Sequence, residues 1–109
     1  MKPHSFHREA QSEYEAAAQH YRSISRQLGE RFEQYVNGLV DEVCETPATF
    51  QRFDPPYQRH FRVRRFPYQV VYLDLPERVV VLAVRAFKQR PGVWRGKFPG
   101  PLGNGGETS

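Results

Sequence analysis

Cysteine is almost absent from this sequence, and so are the features of a membrane-spanning or exported protein. The one cysteine, Cys44, excludes an internal disulfide and a cysteine-rich zinc site. No stretch approaches the roughly 20 consecutive apolar residues that a transmembrane helix needs. The first ten residues, MKPHSFHREA, contain no apolar segment of the kind found in signal peptides. We therefore expect a cytoplasmic protein.

Lysine is also scarce, and the charge is unevenly distributed. Only three of the sixteen basic residues are Lys, and the others are Arg, the cation best suited to bidentate contacts with phosphate and carboxylate. Residues 1–50 contain five basic and eight acidic residues, whereas residues 51–109 contain eleven and four. The basic second half predicts an anionic partner, either nucleic acid or an acidic protein segment. A charged, solvated surface without a partner is the alternative.

The first half of the chain has the apolar periodicity of two helices. Residues 8–26 carry Ala and aromatic residues at spacings of three and four, and residues 30–45 carry a second apolar stripe. Gly29 in the segment QLGER predicts the turn between them, and Pro47 predicts the end of the second helix. Because the link is so short, the helices should form an antiparallel hairpin.

The second half changes to the periodicity of strands. Strands are predicted over residues 60–66, 68–75 and 79–87, where alternating or β-branched apolar residues dominate. Short connections favour an antiparallel meander, and the segment PHSF before the first helix could add an edge strand. The predicted class is α+β, with the helical hairpin on one face of an antiparallel sheet of three or four strands. The other face would be free to concentrate arginines.

The chain is predicted to form one domain over residues 1–97, followed by a tail. Residues 98–109 are rich in Gly and Pro and have little apolar surface to bury, so we expect this tail to be disordered.

Five short segments follow one another in the order and with the gaps of one protein family: FHREAQSEYEAAAQHY, LGERF, ETPATF, RRFPYQVVY and VVVLAVRAFKQRPGVW. Together they cover about residues 3–97 and resemble the RelE/ParE superfamily of bacterial toxins, most closely its ParE-like, or plasmid-stabilisation, branch. The resemblance implies the α+β fold described above. It also implies a cognate antitoxin, whose C-terminal segment wraps the toxin and neutralises it.

The resemblance leaves three functions open. ParE-like members inhibit DNA gyrase, which makes a gyrase-inhibiting toxin the first hypothesis. RelE-like members cut messenger RNA in the ribosomal A site, which is the second. The third is a degenerate, non-toxic member that acts only as a partner-binding module. Ala86 stands where the ParE-like pattern usually has His, and Arg90 where it has an acid, while Pro91 and Trp94 remain. The missing His favours the first and third hypotheses over an endonuclease.

Candidate functional residues cluster in the basic half. Alternation along the strand over residues 60–66 would place Arg62 and Arg64 on one sheet face, next to aromatic rings that could stack on a base. The residues predicted to contact the target or a nucleic acid are Arg59, Arg62, Arg64, Arg65, Tyr68, Arg85, Lys88 and Arg90. Those predicted to contact an acidic segment of the antitoxin are Arg62, Arg64, Tyr14 and Tyr21.

Each of these residues also has a structural interpretation. The arginine-rich strand would be solvated, with its charges preventing edge-to-edge aggregation. Arg85 would form a salt bridge with Asp74 or with a glutamate of the helices.

An RNA-cleaving site would need an acid and a base, for which His60, Tyr68 and Asp74 are the candidates. No catalytic residue is assigned, and no cofactor or metal is predicted, since His4 and His7 lack further ligands in the sequence.

Overall fold

The computed structural model describes residues 1–62 and 66–87 of the chain. The predicted α+β class is confirmed, with two helices followed along the chain by most of a four-stranded sheet. The predicted tail, residues 98–109, and the predicted domain end at residue 97 lie outside the described residues. The elements, in chain order, are β1 (His4–Phe6), α1 (Arg8–Ile24), α2 (Arg26–Glu45), a 3-10 turn (Pro47–Thr49), β2 (Gln58–His60), β3 (Tyr68–Asp74) and β4 (Val79–Ala86).

The two helices form the predicted antiparallel hairpin, but they join at Ser25 and not at Gly29. The Ser25 amide donates to the Tyr21 carbonyl at the end of α1, and its hydroxyl accepts from the Leu28 amide at the start of α2. Gly29 lies inside α2 and is buried. A Cβ at this position would come within 2.9 Å of the Arg22 Cα. The predicted turn at Gly29 is therefore wrong, and close helix packing is what requires glycine here.

The sheet has the strand order β1-β4-β3-β2 and is mixed. The predicted meander is confirmed for β2, β3 and β4, whose neighbouring strands pair antiparallel. The predicted edge strand is also present as β1, but it pairs with β4 in parallel, with His4 opposite Val79. A parallel pair needs a long crossover, and here the helical hairpin and two strands separate β1 from β4 along the chain.

Both faces of the central strands are apolar and buried. Val70, Tyr72 and Val81 pack with the helices on one face. On the opposite face, Val71 and Leu82 are fully buried in a second cluster that includes Tyr57 and Leu73. The prediction that this face of the sheet is free is therefore wrong for β3 and β4. Near-continuous apolar runs such as VVYL are typical of strands that are buried on both faces.

The strand predicted over residues 60–66 begins and ends earlier than expected. In the structure, β2 covers only Gln58–His60, and Phe61 and Arg62 follow it without strand pairing. The buried Gln58 side chain donates to the Pro47 and Phe50 carbonyls, at 2.9 and 3.2 Å, which anchors the strand to the loop before it. Residues 63–65 of the prediction lie outside the described part of the chain.

The tyrosines predict a steep loss of stability at alkaline pH. The pKa of every tyrosine is raised above 10, and burial is the largest cause in each case. The tyrosines are Tyr14, Tyr21, Tyr35, Tyr57, Tyr68 and Tyr72. Tyr72 is the most buried, and its hydroxyl donates to the Pro47 carbonyl at 2.6 Å. Above pH 10 the unfolded chain would lose phenolic protons that the folded chain keeps, so the free energy of unfolding must fall as the pH rises.

The measurement is the free energy of unfolding between about pH 8 and pH 11, alongside the absorbance of tyrosinate. We expect full stability below pH 10 and a decrease above it, with tyrosinate appearing together with unfolding. The variant Tyr72→Phe serves as the control, because it should flatten part of this decrease. Free titration of the tyrosines in a protein that stays folded would contradict the prediction.

Candidate functional site

The structure places two of the four clustered arginines, Arg59 and Arg62, in different surroundings. Arg59 lies in β2, where its Nε donates to Gln51 Oε1 at 3.0 Å and its guanidinium lies 5.1 Å from the centre of the Phe53 ring. Arg62 lies beyond the end of β2, beside helix α2. Arg64 and Arg65 fall outside the described residues. The predicted placement of Arg62 and Arg64 on one sheet face therefore stays a prediction, although Arg62 itself lies beyond the end of β2.

Helix α2 holds Arg62 through three residues at helical spacing. The Arg62 amide donates to the Tyr35 hydroxyl at 3.3 Å, and Arg62 Nη2 donates to Glu42 Oε2 at 2.7 Å. Between these two contacts the guanidinium lies against Gly38, where an added Cβ would come within 2.9 Å of Arg62 Nη2. Residues three and four apart lie on one side of a helix. Glycine at position 38 therefore leaves the room that the guanidinium occupies.

Glu42 also contacts His60, so one carboxylate joins two basic side chains. The distance from Glu42 Oε1 to His60 Nε2 is 2.6 Å. The pKa of Glu42 is lowered chiefly by the hydrogen bond from Arg62; burial, the next largest effect, opposes this, and the hydrogen bond with His60 lowers the pKa further. The His60 ring stacks on Phe50 with 3.8 Å between the ring centres. His60, a candidate acid–base residue, is thus engaged in a structural contact.

A cleft of about 330 Å³ lies between α2 and the segment around Arg62. Of the described residues that line it, Arg62 alone was among those predicted from the sequence. A helical spacing of three or four residues along α2 was the signal that could have indicated Arg31, Gln34 and Tyr35, because it places these side chains on one side of that helix. The residues that line the cleft are Arg31, Gln34, Tyr35, Arg62 and Phe66.

The tyrosines predicted as contact residues lie around one core side chain, Phe32. Tyr21 and Tyr68 contact the Phe32 ring at centroid distances of 5.0 and 5.1 Å, and Tyr14 does so at 6.2 Å. All three are half-buried and pack against the helix-facing core. The Tyr68 ring also borders a second cleft, of about 260 Å³, together with His20 of α1.

Arg85 is held by α1. Its Nη1 donates to Glu13 Oε2, and Glu13 Oε1 accepts from the Val84 amide at 3.0 Å. This contact is the structural alternative that the sequence suggested, a salt bridge with a glutamate of the helices. Asp74, the other suggested partner, instead pairs with Lys2 at 2.5 Å. Lys88 and Arg90, which were predicted to extend this site, lie outside the described residues.

The described residues contain no metal-binding group and no membrane-spanning helix. Within residues 1–62 and 66–87, no three His, Cys, Asp or Glu side chains lie close enough together to hold a metal ion. In the same part of the chain, neither helix is long and apolar enough to cross a membrane. Cys44 is buried on α2, as a small apolar residue would be.

Comparison with known proteins identifies the family. No curated protein matches the chain. The sequence profile of one family, described as the ParE toxin of the type II toxin–antitoxin system parDE, matches residues 5–91. The match spans most of the chain, including both helices and all three strands that follow them. The chain therefore belongs to the ParE toxin family of type II toxin–antitoxin systems.

Proposed function

We propose that this protein is a cytoplasmic toxin that inhibits DNA gyrase by binding it, and that a cognate antitoxin neutralises it through an acidic segment. The observation that carries the proposal is the match of residues 5–91 to the ParE toxin family. Members of the ParE-like branch act on gyrase, whereas RelE-like members cut messenger RNA. The family relation therefore favours a toxin that binds its target over one that cleaves RNA.

The contacts of the candidate acid–base residues support the same choice. RNA cleavage needs a base and an acid that can each exchange a proton with the substrate. His60 is stacked on Phe50 and bonded to Glu42, and Asp74 is paired with Lys2. Ala86, at the position where the family usually has His, carries no group that can exchange a proton. A binding mechanism needs none of these groups to react.

Induction of the gene alone in a bacterial host tests the proposal. We expect growth arrest together with a DNA-damage response, because a poisoned gyrase leaves broken DNA, while translation continues in the first minutes after induction. Growth arrest with an immediate block of translation would indicate ribosome-dependent cleavage of messenger RNA. Normal growth with well-expressed, folded protein would indicate a non-toxic partner-binding module.

Two conservative variants separate binding from cleavage. His60→Gln keeps a donor for Glu42, and Tyr68→Phe keeps the ring that packs on Phe32. A gyrase-binding toxin should keep its growth arrest in both variants, since neither proton is used. Loss of toxicity of about a hundredfold or more in both folded variants is the result expected of an enzyme that uses these groups as acid or base.

A further inference from the structure

The cleft beside α2 contains two guanidinium groups, one of them on a helical hairpin of negative net charge. Arg31 and Arg62 line it, and Tyr35 and Phe66 supply aromatic walls. Arg62 has a carboxylate partner, Glu42, whereas the described residues give Arg31 no ion pair. Residues 1–50, which include both helices, carry more acidic than basic residues. The cleft therefore brings together two cationic groups, one on the acidic hairpin and one on the basic segment that follows β2.

Glu42 shows which kind of anion Arg62 accepts. Its carboxylate lies 2.7 Å from Arg62 Nη2, the distance of a charge-assisted hydrogen bond. This carboxylate is 44% exposed, and the Arg62 side chain is 35% exposed, so the pair lies open to an approaching partner. A guanidinium has five N–H donors in a planar arrangement. One bond to Glu42 leaves Arg62 with donors for a second carboxylate.

The size and charge of the cleft favour an acidic protein side chain over a nucleic acid. A volume of about 330 Å³ is at the small end for a ligand site. It suits one or two side chains of a partner, whose methylene groups would contact the aromatic walls. A nucleic-acid backbone carries a charge on every nucleotide, so the phosphates beyond the cleft would meet the acidic hairpin. A single carboxylate within a less charged segment avoids this repulsion.

We propose that this cleft holds an Asp or Glu side chain of the antitoxin between Arg31 and Arg62, and that Glu42 competes with it for Arg62. The inference rests on the proposed function, since it assigns a binding site to the acidic partner. Glu42 keeps Arg62 in place and neutralises it in the free toxin. An incoming carboxylate takes up the remaining donors of Arg62 together with Arg31, which has no competing partner among the described residues.

The test uses a fluorescent decapeptide of alternating Glu and Leu as the probe, with its Gln–Leu counterpart and a thymidine decanucleotide for comparison. Binding to the full chain is measured for Arg31→Gln, Arg62→Gln and Glu42→Gln. The matched control is Arg26→Gln, which removes the same charge from an exposed α2 side chain outside the cleft. Thermal melting of each variant reports whether it is folded. The exposed Arg31 keeps the test valid if a change at Arg62 unfolds the protein.

We expect Arg62→Gln and Arg31→Gln to weaken binding of the acidic peptide by about tenfold, the loss of one charge-assisted contact. Arg26→Gln should change it by less than about twofold, because an exposed charge outside the site acts only through screened electrostatics. Glu42→Gln should tighten binding by about threefold, since it removes the competitor and one negative charge. The Gln–Leu peptide should bind more weakly than the acidic peptide. Its affinity should be the same in the Arg31→Gln and Arg62→Gln variants as in the unchanged protein.

Three results would overturn the inference. The first is that Arg26→Gln, Arg31→Gln and Arg62→Gln weaken binding of the acidic peptide equally. The second is that folded Glu42→Gln binds this peptide more weakly than the unchanged protein does. The third is that the decanucleotide binds more tightly than the acidic peptide and depends equally on Arg31 and Arg62. The last result would assign the cleft to nucleic acid. The peptide measurement does not involve gyrase, so it can fail while induction of the gene still causes DNA damage. Conversely, it can succeed in a protein that is not toxic.

Discussion

Phe32→Ala is expected to destabilise the protein by about 4 kcal/mol, the usual cost of removing a fully buried phenyl ring. The Phe32 side chain is 0% exposed, and it lies where the hairpin meets the sheet. Four aromatic rings surround it, with centroid distances of 5.0 to 6.2 Å; they belong to Tyr14, Tyr21, Phe66 and Tyr68. Rigid rings collapse poorly into a cavity, so the packing of all four would be lost together.

Urea unfolding followed by circular dichroism measures this loss. A domain of this size has a total stability of about 5–10 kcal/mol, so Phe32→Ala should leave a marginally folded protein. Phe87→Ala is the matched control, because the Phe87 side chain is 44% exposed and should cost less than about 1.5 kcal/mol. Similar losses for the two variants would show that the ring cluster around Phe32 does not hold the helices to the sheet.

Glu13→Ala is expected to destabilise the protein by about 3 kcal/mol, the cost of leaving a largely buried charge without its partner. Glu13 on α1 accepts from the Val84 amide and pairs with Arg85, so one carboxylate satisfies two groups of β4. The Arg85 side chain is only 15% exposed, and its Nε is buried with no hydrogen-bond partner among the described residues. Removal of Glu13 would leave the Val84 amide unpaired as well.

Chemical denaturation of the single and double variants measures this coupling. Arg85→Met in the Glu13→Ala background should recover part of the stability, because the unpaired charge is then removed. Glu15→Ala on the same helix is the matched control and should cost less than about 0.5 kcal/mol, since Glu15 is exposed and its carboxylate accepts from Gln11 on the helix surface. Strictly additive losses for Glu13→Ala and Arg85→Met would contradict the proposed pairing.

The pairing also bears on the role assigned to Arg85. The sequence predicted a contact with the target or, alternatively, a salt bridge with a glutamate of the helices, and the structure contains the salt bridge. A target contact by this guanidinium would have to share or break its bond to Glu13. The exposed Arg31, which was not among the residues predicted from the sequence, is more accessible to a partner.

The sequence by itself determined both helices, the two central strands and the family. Apolar residues at helical spacing indicated both helices, and the runs YQVVYLDL and VVVLAVRAF indicated β3 and β4. These patterns are local, because each helix or strand must bury one continuous set of apolar residues. The order of five short segments was enough to identify the ParE toxin family.

Only the tertiary structure decided how the elements and the arginines are arranged. The parallel pairing of β1 with β4, the close approach of Gly29 to Arg22 and the burial of both sheet faces depend on residues far apart in the sequence. The same holds for Arg62, whose position is set by α2 through Gly38 and Glu42 and not by the alternation of its own segment. Alternation along a strand predicts a face only where the strand continues, and β2 ends at His60.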